Sequence, residues 1–432
     1  MTTRAWWLVG LNLAIPGSAQ VLAGSRRLGR FGLGTTLVWW LLVVASAVTA
    51  VVDRSVLFAL VTNAFPLGVV VVVLAFYATV WVVLTLDTLR LIRFVAVDRG
   101  ARAVVAGVAV VALVVVSGGA VFTATRAVSA IGVLSTVFGD GSIAEPIDGR
   151  YNVLLLGGDA GPDRFGLRPD SISVVSVDAA TGSTVIFGVP RNMQHVPFAA
   201  GSPLWGPFPN GYDCGLECLI SYLYTYGEEH PDLYPDAVAQ GSSPGIEATR
   251  DAVSGVLGLE LQYFVLIDMQ GFVALVDALG GIDLTVTERL PIEGGEDTNG
   301  QPIGVAGWIE PGPQHMDGYT ALWYARSRHG TSDYDRMARQ REIQSAVLTQ
   351  MDPANVLLRF NEIAAAGGSL IRTDIPQLML SQFVELGLQA QDQPLETLDF
   401  VPEEWSTERP DFAAIQATVD ELLRPRTPSF SP

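Results

Sequence analysis

Tyr151-Asn152-Val153-Leu154-Leu155-Leu156-Gly157-Gly158-Asp159 is the stretch on which the fold turns. An unbroken apolar run closed by two glycines and a carboxylate reads as a buried strand ending in a tight turn. Downstream, Ser171–Val177 alternates apolar with polar residues, Ala180-Thr181-Gly182 supplies a turn, and Thr184–Phe187 returns as a further strand. Helical spacing follows in Ile246–Leu257 and in Asp268–Leu279, the second stopped by Gly280-Gly281. A strand at Ile282–Val286 and helices at Asp317–Ala325 and Tyr334–Met351 complete the pattern. Alternating strands and helices imply an α/β domain, of the α/β/α sandwich type, over residues 151–402. Beyond Pro402 the sequence thins into a tail, 403–432, expected to hold one weak helix and to be partly disordered.

Upstream of Tyr151 the chemistry changes. The chain of 432 residues has a net charge of −18, and every cation is arginine. Its first 130 residues carry ten arginines against Asp53, Asp87 and Asp98, about +7, which leaves about −25 on the remainder. Apolar runs at 32–52 and 102–122 are each long enough to cross a bilayer, which takes about 20 residues. A third, Val56–Leu86, is too long for one span, so its first part is expected to form a separate short helix ending near Pro66. The segment Ala5–Gly24, broken by Pro16-Gly17-Ser18 and carrying Asn12 and Gln20, is compatible with a span or an interfacial helix. Residues 1–125 thus read as a multi-span α-helical membrane anchor, and 126–150 as a linker. No short apolar core with a small-residue cleavage site is present, so the anchor is expected to stay on. Arginines 26, 27 and 30 precede one span, and 90, 93, 99 and 102 lie between the other two. The positive-inside rule holds both clusters in the cytoplasm and places the domain outside it, on a multi-pass protein of the plasma membrane. For an exported domain, a loop disulfide between Cys214 and Cys218 is expected, with two free thiols as the alternative.

Four stretches carry chemistry. Gly157-Gly158-Asp159 puts a carboxylate off the end of the first strand, Arg168-Pro169-Asp170-Ser171 leads a cation and a carboxylate into the second, and Pro190-Arg191-Asn192 ends the third. The densest is Tyr324-Ala325-Arg326-Ser327-Arg328-His329 followed by Ser332-Asp333-Tyr334-Asp335-Arg336 and Arg339-Gln340-Arg341. Strand ends are where an open α/β sheet places its ligands. Two carboxylates suit Mg²⁺, which takes one or two of them with waters and phosphate oxygens, and the arginine fork suits phosphate. Taken one at a time each residue has a plainer reading: an Asp after a strand caps a turn, Arg339 and Arg341 form the polar face of a helix, and His195 and His329 are surface or packing residues. An acidic domain outside the cytoplasm disfavours nucleic acid as a partner.

The ordered set GxD, R-x-D, PR and YARxRH…SDxxRxxRQ resembles the LytR–CpsA–Psr family of wall-polymer ligases. Asp268-Met269-Gln270-Gly271-Phe272 with Leu275–Ile282 is similar to that family's central helix and following strand. The resemblance covers most of Tyr151 to Pro402. It departs at Gly158 (usually Ser), Pro169 (Ser or Thr) and Asn192 (Asp), and in the several spans where one anchor helix is typical. The resemblance implies a phosphotransferase that moves a glycan from a polyprenyl-pyrophosphate carrier to peptidoglycan. Asp159 and Asp170 would hold Mg²⁺ and, with Arg168 and Arg191, do the chemistry. Arg168, Arg191, Arg326, Arg328, Arg336 and Gln340 would bind the pyrophosphate. The carrier tail needs an apolar slot, and Gly271–Val276 either lines it or packs as ordinary core. Two alternatives stand: a polyprenyl-pyrophosphate pyrophosphatase, in which water replaces the sugar hydroxyl, and a non-catalytic lipid-binding receptor that signals through the multi-span anchor. The acids separate them, because a receptor needs only the arginines.

Overall fold

The computed structural model describes residues 2–52, 56, 60, 62–92, 95, 97–138, 143–159, 168–215, 217–297, 301–327, 332–351, 371–402 and 404–424. The chain divides into two compact units, Met1–Leu134 and Ser135–Pro432.

The first unit is built from α1 (Thr2–Ala14), α2 (Ser18–Ala23), α3 (Arg26–Val52), α4 (Ala64–Leu91) and α5, which spans Arg99–Val137. Helices α3, α4 and α5 are each long and apolar enough to cross a membrane. The separate short helix expected ahead of Pro66 falls mostly outside the described residues; Asn63 caps α4 by accepting from the Phe65 N–H, and Pro66 sits in the first turn, where its missing N–H costs nothing. Helix α5 runs on to Val137, so residues 126–137 are helix rather than linker. Asn12 and Gln20, the polar residues that blurred the first segment, turn inward to α4. Asn12 donates to Thr85 Oγ1 (3.1 Å), and Gln20 donates to the Leu84 carbonyl (2.7 Å) and Thr88 Oγ1 (2.9 Å). Gly17, at φ +99°, lets α2 close on α3; a Cβ there would lie 2.6 Å from the Leu33 nitrogen.

The second unit contains β1 (Arg150–Asp159), β2 (Arg168–Asp178), β3 (Thr184–Val189), α6 (Leu223–Glu229), α7 (Pro244–Leu257), β4 (Tyr263–Asp268), α8 (Met269–Leu279) and β5 (Ile282–Val286). Short strands β6 (Leu290–Ile292), β7 (Gly295–Glu296), β8 (Pro302–Ile303), β9 (Gly307–Ile309) and β10 (Gly312–Met316) follow. Then come α9 (Gly318–Arg326), α10 (Asp333–Gln350), β11 (Ile371–Thr373), α11 (Leu380–Gln391), β12 (Glu396–Asp399) and α12 (Phe412–Leu423).

Six strands form one mixed sheet in the order β11-β4-β1-β2-β3-β12. Strands β1, β2 and β3 pair antiparallel, while β4 runs parallel to β1 and β12 parallel to β3. The C-terminal ends of β1, β3, β4 and β12 and the start of β2 therefore open on one rim. The pleat sorts the core: Leu154 and Leu156 pack with Ile246, Val253 and Val256 of α7, whereas Val153 packs with Met379 and Leu386 on the other face. Helices on both faces give the three-layer α/β arrangement. Strand β4 was not expected from the sequence, because its six residues run straight into a helix and leave no turn signal between. The sequence past Pro402, read as a thin tail, contributes to this core. Ile415 and Val419 of α12 are fully buried with the α7 cluster.

Candidate functional site

A bulge builds the rim. Pairing of β1 with β2 shifts from Gly157↔Ser171 to Gly158↔Pro169, which makes Asp170 the extra residue with no partner opposite. Bulges re-aim a side chain and tolerate proline, which has no N–H to give the ladder. Pro169 thus occupies a position that suits it, and Asp170 turns to the rim. Asp159 lies opposite Arg168 in backbone register. The Asp159 side chain, Arg328 and His329 lie outside the described residues.

Arg191 leaves the end of β3 and joins two elements. Its Nη1 donates to Asp170 Oδ1 at 2.5 Å and its Nε to Asp333 Oδ2 at 2.8 Å. Asp333, in the first turn of α10, also pairs with Arg336 Nη1 at 2.9 Å. Burial alone would lower the Arg191 guanidinium; Asp170 and Asp333 outweigh it and hold the group above its ordinary pKa. The Asn192 amide donates to the Tyr334 hydroxyl at 3.2 Å instead of serving Arg191. The substitution at 192 therefore leaves Arg191 with two carboxylates drawn from other elements.

Beside these groups a cavity of about 280 Å³ runs between the sheet and α8, α9 and α10. Asp170, Arg326 and Gln340 stand among its polar lining, and Phe272, Leu275 and Val347 among its apolar walls. Of Gly271–Val276, Phe272 and Leu275 face the cavity, while Val276 is fully buried in the core beneath. Arg326, the last residue of α9, lies over the Trp323 ring at 5.3 Å. Arg168 stacks on Tyr222, 4.7 Å from the ring centroid, and its buried Nε has no hydrogen-bond partner. Asp268 also lines the cavity and was missed as a site residue. It caps α8 through the Gly271 N–H (2.8 Å), and burial holds its carboxyl above the usual range. The sequence signal was there, a carboxylate at a strand end, but the unrecognised β4 hid it.

Residues 141–419 match the LytR_cpsA_psr family. The chain belongs to that family. It is 26% identical over 227 residues to the polyisoprenyl-teichoic acid–peptidoglycan teichoic acid transferase TagU of Halalkalibacterium halodurans, covering 52% of this chain and 61% of that one. It is 27% identical over 231 residues to biofilm regulatory protein A of Streptococcus mutans, covering 52% of this chain and 50% of the other. Among solved structures, that of Bacillus subtilis TagV aligns with a TM-score of 0.45 at 20% identity, over 65% of this chain and 98% of TagV. The match spans only half to about three-fifths of these two curated relatives.

Two arginines of this LytR_cpsA_psr domain that read as a helix's polar face are instead buried. Arg339 donates to the Tyr324 and Ser327 carbonyls, and Arg341 bonds Asp399 at 3.0 Å and Gln344. His195 is a half-exposed partner of Asp213 at 3.3 Å. Cys214 and Cys218 form a disulfide with Cα atoms 5.3 Å apart. Among the described residues no three or more His, Cys, Asp or Glu cluster as a metal cage. Mg²⁺ does not need one, and the hard oxygens of Asp170 beside a row of arginines suit a cation that shares phosphate oxygens.

Proposed function

We propose that the chain is a membrane-anchored phosphotransferase that moves a glycan polymer from a polyprenyl-pyrophosphate carrier to peptidoglycan. One observation carries this reading: a largely apolar cavity lined by Phe272 and Leu275 also bears Asp170, Arg326 and Gln340. An amphiphile with a prenyl tail and a pyrophosphate head has that distribution of chemistry.

In the reaction a hydroxyl of the acceptor attacks the phosphorus that bears the glycan. The new P–O bond forms in line with cleavage of the bridging P–O bond, and the prenyl phosphate leaves, its oxygen taking up the proton that the hydroxyl gives up. Charge grows on the bridging and outer oxygens. Arg168, Arg191, Arg326, Arg328 and Arg336 neutralise it, and Gln340 adds a neutral contact. Asp159 and Asp170 would hold Mg²⁺, which would supply further positive charge to the phosphate oxygens. The apolar walls keep the tail out of water. Three helices able to cross a membrane, with arginines in the first turns of α3 and around the connection from α4 to α5, support a domain held outside the cytoplasm where lipid-linked glycan meets the wall.

A transfer assay with a short prenyl-pyrophosphate glycan and peptidoglycan acceptor, run with and without chelator, tests the reading. Asp159→Asn and Asp170→Asn should abolish transfer while retaining part of the lipid binding, since the arginines persist. Folded aspartate variants that transfer at the wild-type rate in chelator would remove the metal mechanism, whereas a wild-type chain that binds the lipid but transfers nothing would favour the receptor. Reporters fused at Pro432 should be active only as exported reporters.

A further inference from the structure

We propose that Tyr222 is a positioning residue that holds Arg168 ready for the pyrophosphate, and that the segment Cys218–Tyr222, tied to Cys214 by a disulfide, fixes both rim arginines at once. The inference rests on the pyrophosphate reading of the rim and deepens it.

Arg168 follows directly on residues outside the description, and its long side chain has many rotamers to lose when a ligand binds. The Tyr222 ring removes much of that freedom beforehand. The guanidinium carbon lies over the ring, 4.7 Å from its centroid, a contact that consumes no hydrogen-bond acceptor. The N–H edge stays in the plane of the fork, which is the edge that binds phosphate. The Arg168 Nε is buried without a hydrogen-bond partner. The stack therefore sets a preorganised donor at the rim, lowering the ordering cost of binding.

What fixes Tyr222 also fixes Arg191. Tyr222 ends a short 3-10 turn, Ile220–Tyr222, and donates its N–H to the Leu219 carbonyl at 2.9 Å. The two preceding residues reach across to the turn after β3: Ile220 N–H donates to the Met193 carbonyl (3.0 Å) and Ser221 N–H to the Arg191 carbonyl (3.2 Å). Immediately upstream, Cys218 is buried in the main core and bonded to Cys214. One segment thus orients the plane of an arginine from β2 and the backbone of an arginine from β3. Nothing in the sequence motifs pointed to Tyr222, since it lies about 30 residues from the nearest of them.

The test uses the full chain in detergent, with geranyl pyrophosphate as the probe for binding by calorimetry and the transfer assay for kinetics. Tyr222→Leu, which keeps apolar bulk but no π face, should weaken geranyl pyrophosphate binding by about three- to thirtyfold, the range of a cation–π contact. The loss should enter KM, with kcat nearly unchanged, and Tyr222→Phe should restore both. In an Arg168→Ala background Tyr222→Leu should have no further effect. If the leucine variant does not fold, phenylalanines of increasing fluorination at 222 keep the shape and drain the ring's negative face; affinity should fall stepwise along that series. Wild-type affinity in Tyr222→Leu, or a flat fluorination series, overturns the inference while the site reading stands. If Arg168→Ala binds the probe as wild type does, it is the pyrophosphate reading that fails.

Discussion

Arg191 and Arg341 each bond an aspartate from another element, yet their surroundings move them in opposite directions. At the rim, Arg191 meets two carboxylates, Asp170 and Asp333, and is held above its ordinary pKa against the effect of burial. In the interior, Arg341 meets one acid among the described residues, Asp399, and burial pulls it below its ordinary value. Both stay charged, since guanidinium loses its proton only at extreme pH. The difference is in what the charge is for. Arg341 and Arg339 spend their donors on carbonyls, a glutamine and single acids inside the fold. At the rim, Arg326 at the end of α9 lines the cavity, and Arg168 lies over the Tyr222 ring. Arg339 and Arg341 of α10 thus form a structural system, and Arg168, Arg191 and Arg326, which come from other elements, a system for a ligand.

The largest effect expected from this division is on stability. Arg341→Met keeps the apolar stem but leaves Asp399 largely buried without its cation, which should cost about 3–5 kcal/mol. Urea unfolding reads it. Gly188 makes the site stricter, because its Cα lies so close to the pair that a Cβ would fall within 1.7 Å of Asp399 Oδ1. A loss below about 1 kcal/mol would place Arg341 with the solvated helix face that the sequence suggested.

The opposite signature belongs to Arg168→Ala. Its unfolding midpoint should hardly move, while prenyl-pyrophosphate affinity drops by about 1.5–3 kcal/mol, the value of a hydrogen bond to a charged group. If stability and affinity fall together, the two rows are one network and the division fails.

Much of this was legible in the sequence. Apolar runs closed by glycines located β1 and α8, alternation located β2 and β3, and the ordered motifs located the rim. What was not legible depended on contacts between distant segments. The bulge at Asp170 exists only in the pairing of β1 with β2. Arg339 and Arg341 look solvated because helix spacing does not reveal that Ser327, Tyr324 and Asp399 will close over them. Asp268 was seen as a helix start because β4 hands over to α8 without a turn. Helix α12 looked weak because its burial comes from α7, over 150 residues upstream.

The smallest effect lies where the two rows diverge, at the start of α10. Ser332 and Asp335 form a reciprocal capping box: the Asp335 N–H donates to Ser332 Oγ (3.1 Å), and the Ser332 N–H donates to Asp335 Oδ2 (2.7 Å). The Ser332 hydroxyl, followed by its backbone N–H, holds the Asp335 carboxyl below its ordinary pKa. A depressed carboxylate contributes stability that is present above the unfolded-state value, about 3.9, and disappears as pH falls through the lower folded-state value. Ser332→Ala should therefore cost about 1 kcal/mol at neutral pH, as cap losses do, and the gap from wild type should narrow in acid. Asp333, the next residue, carries both Arg191 and Arg336, so fraying of this turn should also lower transfer, by less than Arg168→Ala does. Unfolding measured at pH 7 and again near pH 3 decides the matter. A gap that stays constant would mean that the carboxylate takes no part in the cap, and transfer unchanged in Ser332→Ala would mean that Asp333 is held without it.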